Sequence, residues 1–239
     1  MAAPTAYQIQ IFNMTNLNRS YVLFQSVSTT PGTPDCFNNA YQKSPLVVSE
    51  PSSYAKFNMK NVHFAVYGTS PITLSKGVTV TTCNTVPVTL SSNDTSPPEV
   101  AGTQLILPTI EKDGQTPTCG ARTQTQKTLP NAYGISCDSS FMFPNSNNIC
   151  ISFGAPESHT GQVIPVATIP AWPSSEFIFE PKAIYYIATG TYTPGAIVSV
   201  SELSNVLTVD FTNNPESPSH NAIFTHMSDK SWKPGAPRI

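Results

Sequence analysis

A segment of 19 residues occurs twice in this chain, and the repeat restricts the folds that the chain can adopt. Residues 51–69 and 173–191, 122 positions apart, share seven identities, including the Pro-Ser-Ser start and the Gly-Thr end. Composition alone gives roughly one or two identities over such a length, and a periodic self-similarity is the mark of repeated structural units. We therefore predict two tandem, internally similar units, residues 1–108 and 130–239, joined by an irregular connection at residues 109–129.

Short runs of alternating apolar residues, bounded by Gly, Pro, Asn and Ser, recur along both units. An alternation with period two is typical of β-strands, and no window has the 3.6-residue apolar spacing of a capped helix. We therefore predict an all-β protein of antiparallel β-sandwich architecture with little helix. We interpret the segment from Glu111 to Asn148 as a connection or a long surface loop. The predicted strands are residues 7–12, 21–26, 55–59, 62–67, 78–82, 86–90, 104–107, 149–153, 163–167, 176–179, 184–188, 197–200, 206–211 and 222–226.

The repeat is compatible with two arrangements of the units. They can form two small sandwiches side by side, or they can share sheets in one pseudo-symmetric sandwich or barrel. Low surface charge and many apolar strands favour a buried common face in both cases, and ligand pockets commonly form where two such units meet. A pocket within or between the units is therefore the first functional expectation.

The charge of the chain excludes one class of partner. Charged residues make up 11% of the sequence and the net charge is −2, whereas proteins that bind nucleic acid carry clustered Lys and Arg on a basic background.

No apolar stretch approaches the roughly 20 residues that span a bilayer. Residues 1–7 lack the basic and apolar regions of a secretory signal, which favours the cytoplasm unless a signal has been removed. Nothing in the sequence indicates an oligomeric state.

Motifs that bind metals or cofactors are missing from the sequence. There is no Cys-x-x-Cys, no His-x-His, no Gly-rich phosphate loop and no Gly-x-Ser-x-Gly elbow, so we predict neither a metal nor a cofactor. The five cysteines leave at least one thiol unpaired in a monomer. A bridge between Cys119 and Cys137 and free buried thiols are both compatible with this count.

Five aromatic or imidazole side chains are the candidate ligand-binding residues. His63 and Tyr185 hold equivalent places in the two copies while their neighbours stay apolar; a site on one half would cause such divergence, and so would drift at a solvent-facing position. Tyr67 shares the strand face of His63, Tyr186 follows Tyr185, and Trp172 precedes the second Pro-Ser-Ser. Such rings line apolar pockets or stack on sugars, and they also pack in cores. No catalytic residue is assigned.

Three motifs carry a resemblance to known sequences. Ser-Tyr-Val-Leu-Phe at 20–24, Phe-Ala-Val-Tyr-Gly-Thr-Ser at 64–70 and Tyr-Tyr-Ile-Ala-Thr-Gly-Thr-Tyr-Thr-Pro-Gly at 185–195 resemble uncharacterised predicted proteins of filamentous fungi and some bacteria. The resemblance runs along most of the chain and implies no activity and no catalytic residue.

Two functional hypotheses follow from these observations. The first is a protein that binds a small organic ligand in a pocket, and that can act on it as a cofactor-independent cyclase or isomerase of secondary metabolism by holding a reactive conformer. The alternative is a lectin-like or structural protein that contacts carbohydrate or another surface. We favour the first, because no aromatic and acidic sugar-binding motif is duplicated together with the strands.

Overall fold

The computed structural model describes residues 7–29, 35–92, 100–109, 117, 130–158, 160–212 and 220–237. Across these ranges the chain is nearly all strand, with one turn of 3₁₀ helix at Val200–Glu202, so the all-β prediction is confirmed. None of the described helical structure is long and apolar enough to cross a membrane.

In chain order the described strands are β1 (Tyr7–Met14), β2 (Tyr21–Thr29), β3 (Phe37–Asn39), β4 (Gln42–Lys43), β5 (Tyr54–Met59), β6 (His63–Thr69), β7 (Thr81–Val88), β8 (Gln104–Leu107), β9 (Tyr133–Cys137), β10 (Cys150–Pro156), β11 (Val163–Pro170), β12 (Glu176–Thr189), β13 (Ile197–Val198), β14 (Leu207–Asp210), β15 (Asn221–Met227) and β16 (Trp232–Pro234). Burial alternates regularly along β1, β5 and β14, whereas β10 is buried along its whole length.

These strands form three sheets. The first has the order β16-β15-β1-β5, the second β13-β3-β11-β10-β6-β7, and the third β4-β2-β12-β9-β8 with β14 also paired to β12. Every described pairing is antiparallel except β1 with β15 and β8 with β9, which are parallel. Parallel neighbours need a long crossover connection, and here the two partners of each parallel pair belong to different predicted units.

The structure corrects three of the strand predictions. Residues 176–179 and 184–188 belong to one continuous strand, β12, whose pairing with β2 is irregular between Pro181 and Tyr185. Residues 78–82 and 86–90 are replaced by a single strand, β7. The predicted loop from Glu111 to Asn148 contains β9, a strand of which four of the five residues are buried. A five-residue strand buried on both faces has little alternation, so the period-two pattern missed it.

Each sheet takes strands from both predicted units, and the pairing pattern occurs twice. In the first sheet β1 lies between β5, antiparallel, and β15, parallel. In the third sheet β9 lies in the same way between β12 and β8. Likewise β6 is flanked by β7 and β10, and the second half of β12 by β14 and β2. The sheets are thus shared between residues 1–108 and 130–239, while the duplication itself stays a prediction.

One main core unites the three sheets. Its largest fully buried side chains include four tyrosines, Tyr21, Tyr41, Tyr67 and Tyr133, and Tyr133 stacks on Phe179 with ring centroids 5.3 Å apart. The repeated Gly-Thr at the strand end has a steric cause in the first copy, since a Cβ on Gly68 would lie 2.4 Å from the backbone oxygen of Thr81. Close approach of β6 and β7 therefore requires glycine there.

Of the five cysteines, the structure describes four, and all four are free thiols: Cys36, Cys83, Cys137 and Cys150. Cys137 is buried and carries no disulfide, while Cys119 lies outside the described residues. The described cysteines are therefore free thiols, of which Cys137 and Cys150 are buried, Cys36 is partly buried and Cys83 is exposed.

Candidate functional site

A large cleft of about 1110 Å³ lies where equivalent parts of the two repeated segments come together. One side is the end of β5 and the start of β6, from Met59 to His63, and the other is the middle of β12, from Glu180 to Tyr185. The last residue of β7 and the three that follow it, residues 88–91, form a further wall. The pairing of β12 is irregular at the position that corresponds to the break between β5 and β6. Regular strand pairing is therefore interrupted at the same place in both repeated segments.

One titratable side chain of the large cleft, His63, has a buried ring nitrogen without a hydrogen-bond partner among the described residues. Its ring packs against Phe153 with centroids 5.5 Å apart, and its Nε2 lies 2.7 Å from the side-chain oxygen of Asn61. That oxygen accepts a hydrogen bond, so Nε2 carries the proton and Nδ1 is left as an acceptor. Nδ1 is buried and has no hydrogen-bond partner among the described residues. Burial lowers the pKa of His63 to about 4, and the ring is therefore neutral near pH 7.

Three aromatic rings form an apolar part of the cleft wall. Tyr7 and Phe211 lie with centroids 4.7 Å apart, and Tyr185 lies 6.1 Å from Tyr7 and 6.0 Å from Phe211. Tyr185 is 3% exposed. Burial first, and then the neighbouring Tyr41 and Tyr7, raise the pKa of its hydroxyl, so the group keeps its proton at any physiological pH and acts as a neutral hydrogen-bonding group.

Charged groups stand at the side of the cleft that β12 forms. Lys182 makes an ion pair with Glu180, and its backbone oxygen accepts a hydrogen bond of 2.9 Å from Gln25. Lys60, the equivalent of Lys182 in the first copy, is exposed and lines the cleft from the other side. The described residues record no ion pair for Lys60. The cleft thus combines an aromatic wall with one paired and one unpaired ammonium group.

The structure brings together two of the five candidate residues, His63 and Tyr185, in the large cleft. Tyr67 is fully buried in the main core behind the cleft. Tyr186 faces away from the cleft and packs against a smaller core cluster. Trp172 lies elsewhere and contacts Phe143. Nothing in these positions tests ligand binding, and the assignments stay predictions.

Sequence reasoning missed several residues that line the cleft. Tyr7, Tyr41 and Phe211 come from three distant parts of the chain, and only the fold brings them to the same cleft as His63. Tyr41 is held there because its hydroxyl donates a hydrogen bond of 2.8 Å to the backbone oxygen of Pro156. A signal did exist for Lys60, because it is one of the seven identities of the repeat and its counterpart also lines the cleft.

The described residues include no group of three or more His, Cys, Asp or Glu side chains that could hold a metal ion.

Comparisons with known proteins give a family and no relative. No curated protein and no solved structure matches the chain. A family model described as RhiA matches residues 4–233, nearly the whole sequence. The chain therefore belongs to the RhiA family.

Proposed function

We propose that this protein binds a small organic ligand in the large cleft. The observation that carries the proposal is the convergence of both repeated segments on one cavity, with His63 and Tyr185 at equivalent positions in it. Ligand sites usually occupy about 300–1,000 Å³ and combine apolar walls with a few polar groups. The large cleft, at about 1110 Å³, has an aromatic wall and separate donors and acceptors.

The polar groups favour a ligand that has both a hydroxyl or amide and an apolar body. The neutral His63 lines the cleft, and the Lys60 ammonium offers a donor. The rings of Tyr7, Tyr185 and Phe211 supply an apolar surface on which a ring or alkyl group can pack. Such a ligand would be oriented, since its polar and apolar ends would contact different walls.

Cyclisation or isomerisation without a cofactor is the finer part of the proposal. An imidazole with a pKa of about 4 is a weak base near pH 7, because efficient general bases have a pKa close to the working pH. Any rate enhancement would therefore come from holding a folded conformer of the ligand against the aromatic wall. His63 would then be a neutral part of the cleft wall rather than a base.

A thermal-shift screen tests the proposal directly. Small organic compounds and simple sugars are compared for their effect on the melting temperature, and a compound at one hundred times its Kd stabilises by about 2.7 kcal/mol. A stabilising compound is then titrated against Lys60→Ala and Tyr185→Phe. We expect both variants to weaken binding. Lys56→Ala, an exposed lysine on β5 outside the cleft, is the matched control and should bind as the unmodified protein does.

The lectin-like alternative predicts binding of sugars at an exposed site instead of binding of organic compounds in the cleft. Sugar sites need exposed aromatic faces, and of the five candidates Trp172 is the most exposed, at 37%. A glycan array that gives binding which is lost in Trp172→Ala, together with no response to organic compounds, would refute the cleft proposal. Unchanged affinity in both cleft variants would also refute it.

A further inference from the structure

A second, smaller pocket lies at the opposite end of β6 from the large cleft. This apolar slot, of about 210 Å³, is lined by Phe37, Leu74, Phe143, Pro144, Ile149 and Asp35, among others. Asn148 also lines it and donates a hydrogen bond to the backbone oxygen of Ser70, just after β6. His63 begins β6 and Ser70 comes just after its end; at about 3.3 Å per residue these two residues are roughly 23 Å apart along the chain.

The polar side chains of the slot are mostly occupied by the protein itself. The Asn145 amide donates to the backbone oxygen of Met142, and its oxygen accepts from the backbone of Ile149. The Asn148 amide is bonded to Ser70. Among the described residues of the lining, Asp35 is the one ionisable side chain. The ion pairs of the described residues are Lys76 with Glu202 and Lys182 with Glu180, and neither involves Asp35.

Exposed apolar side chains cluster around the slot. Phe143 is 49% exposed and Trp172 37% exposed, and their ring centroids lie 5.8 Å apart. Met142 and Ile72, adjacent in sequence to lining residues, are 77% and 58% exposed. Isolated apolar residues on a surface need no explanation, but several beside one apolar pocket indicate a contact site.

We propose that the apolar slot binds a small organic cation, an ammonium group attached to an aromatic ring or a short apolar chain. A dry cavity of about 150 Å³ in another protein accommodates benzene, so this slot has room for a ring and a short substituent. The ammonium group would be placed by the Asp35 carboxylate and the face of Phe143, which both line the slot, because cations are attracted to aromatic faces. An anion would be repelled by the same carboxylate.

Two probes of nearly equal shape separate the charge from the apolar contact. 2-Phenylethylammonium and 2-phenylethanol share the ring and differ in the charged group. Each is titrated into a Trp232→Phe variant, in which Trp172 is the remaining tryptophan, and binding is followed by its fluorescence. We expect the ammonium compound to bind about three- to fivefold more tightly, the range that a solvent-accessible ion pair supports.

Variants assign the effect to the slot. Asp35→Asn should abolish the preference for the ammonium compound and leave the affinity for the alcohol unchanged. Phe143→Ala, at a half-exposed position with little risk to folding, should weaken both probes. Lys60→Ala, in the large cleft, should change neither. Equal affinity for the two probes, a preference that survives Asp35→Asn, or tighter binding of simple sugars than of either probe would overturn the proposal.

Discussion

The depressed pKa of His63 predicts a specific loss of stability in acid. The ring has a pKa of about 4 in the folded protein because burial disfavours its charged form, and about 6.5 in the unfolded chain. The unfolded state therefore binds more protons between these two values. A histidine of this kind stabilises the fold in its neutral form, and that contribution is present above pH 6.5 and is lost as the pH falls towards 4.

The size of the effect follows from the two pKa values. At pH 5 the imidazole of His63 is almost fully protonated in the unfolded chain and almost unprotonated in the folded protein. The free energy of unfolding therefore decreases over the roughly 1.5 pH units from 6.5 to 5. At 1.36 kcal/mol per unit, the free energy of unfolding should fall by about 2 kcal/mol between pH 7 and pH 5 because of His63 alone. His63→Phe should lack this component.

Urea unfolding at pH 7 and pH 5 measures the difference. The comparison uses the change with pH within each protein, so the effect of the substitution on stability at pH 7 cancels. The titration of His226, a second histidine whose pKa burial lowers to about 4, cancels in the same way. His63→Gln, which also cannot titrate in this range, is the control and should behave as His63→Phe does. An equal loss of stability in the unmodified protein and in both variants would refute a neutral, buried His63.

Three further predictions concern the core and the thiols. Asn13 is fully buried and its side chain makes four hydrogen bonds, so Asn13→Ala should cost about 3 kcal/mol in urea unfolding through unpaired backbone groups. Gly68→Ala should cost about 2 kcal/mol in the same assay, because the new Cβ meets the backbone of Thr81. Cys83 is exposed and Cys150 is fully buried, so a thiol reagent followed by peptide mapping should label Cys83 rapidly and Cys150 only after unfolding.

Each of these predictions has a result that would contradict it. Asn18→Ala, whose side chain makes an exposed hydrogen bond to the backbone of Ser49, is the control for Asn13→Ala, and equal losses in the two variants would remove the argument from burial. A Gly68→Ala variant as stable as the unmodified protein would mean that β6 and β7 can separate freely. Fast labelling of Cys150 in the native protein would contradict its burial.

The sequence predicted most of the strands because their alternation is local. β1, β2, β5, β8 and β11 begin at or within one residue of the predicted positions. The sequence did not predict β9, nor β3, β4 and β16, which have two or three residues each. Such short strands are stable only because longer neighbours pair with them, and no local pattern records that pairing.

The candidate site was predicted in part for a similar reason. His63 and Tyr185 were selected by comparing the two copies of the repeat, and both line the large cleft. Strand alternation puts Tyr67 on the same face as His63, but the Tyr67 side chain is fully buried. Periodicity places a residue on a face, and it does not say whether that face meets a cavity or the core.

The repeat at residues 51–69 and 173–191, with the apolar alternation, determined the all-β class and the boundaries of many strands, because both are properties of neighbouring residues. Only the tertiary structure decided which strands pair, since pairing depends on contacts between residues far apart in sequence. β1 pairs with β15, and β2 pairs with β12, so each sheet combines both halves of the chain. Because the sheets are shared, the two repeated segments come together around one cleft. Neither segment considered alone predicts the position of that cleft.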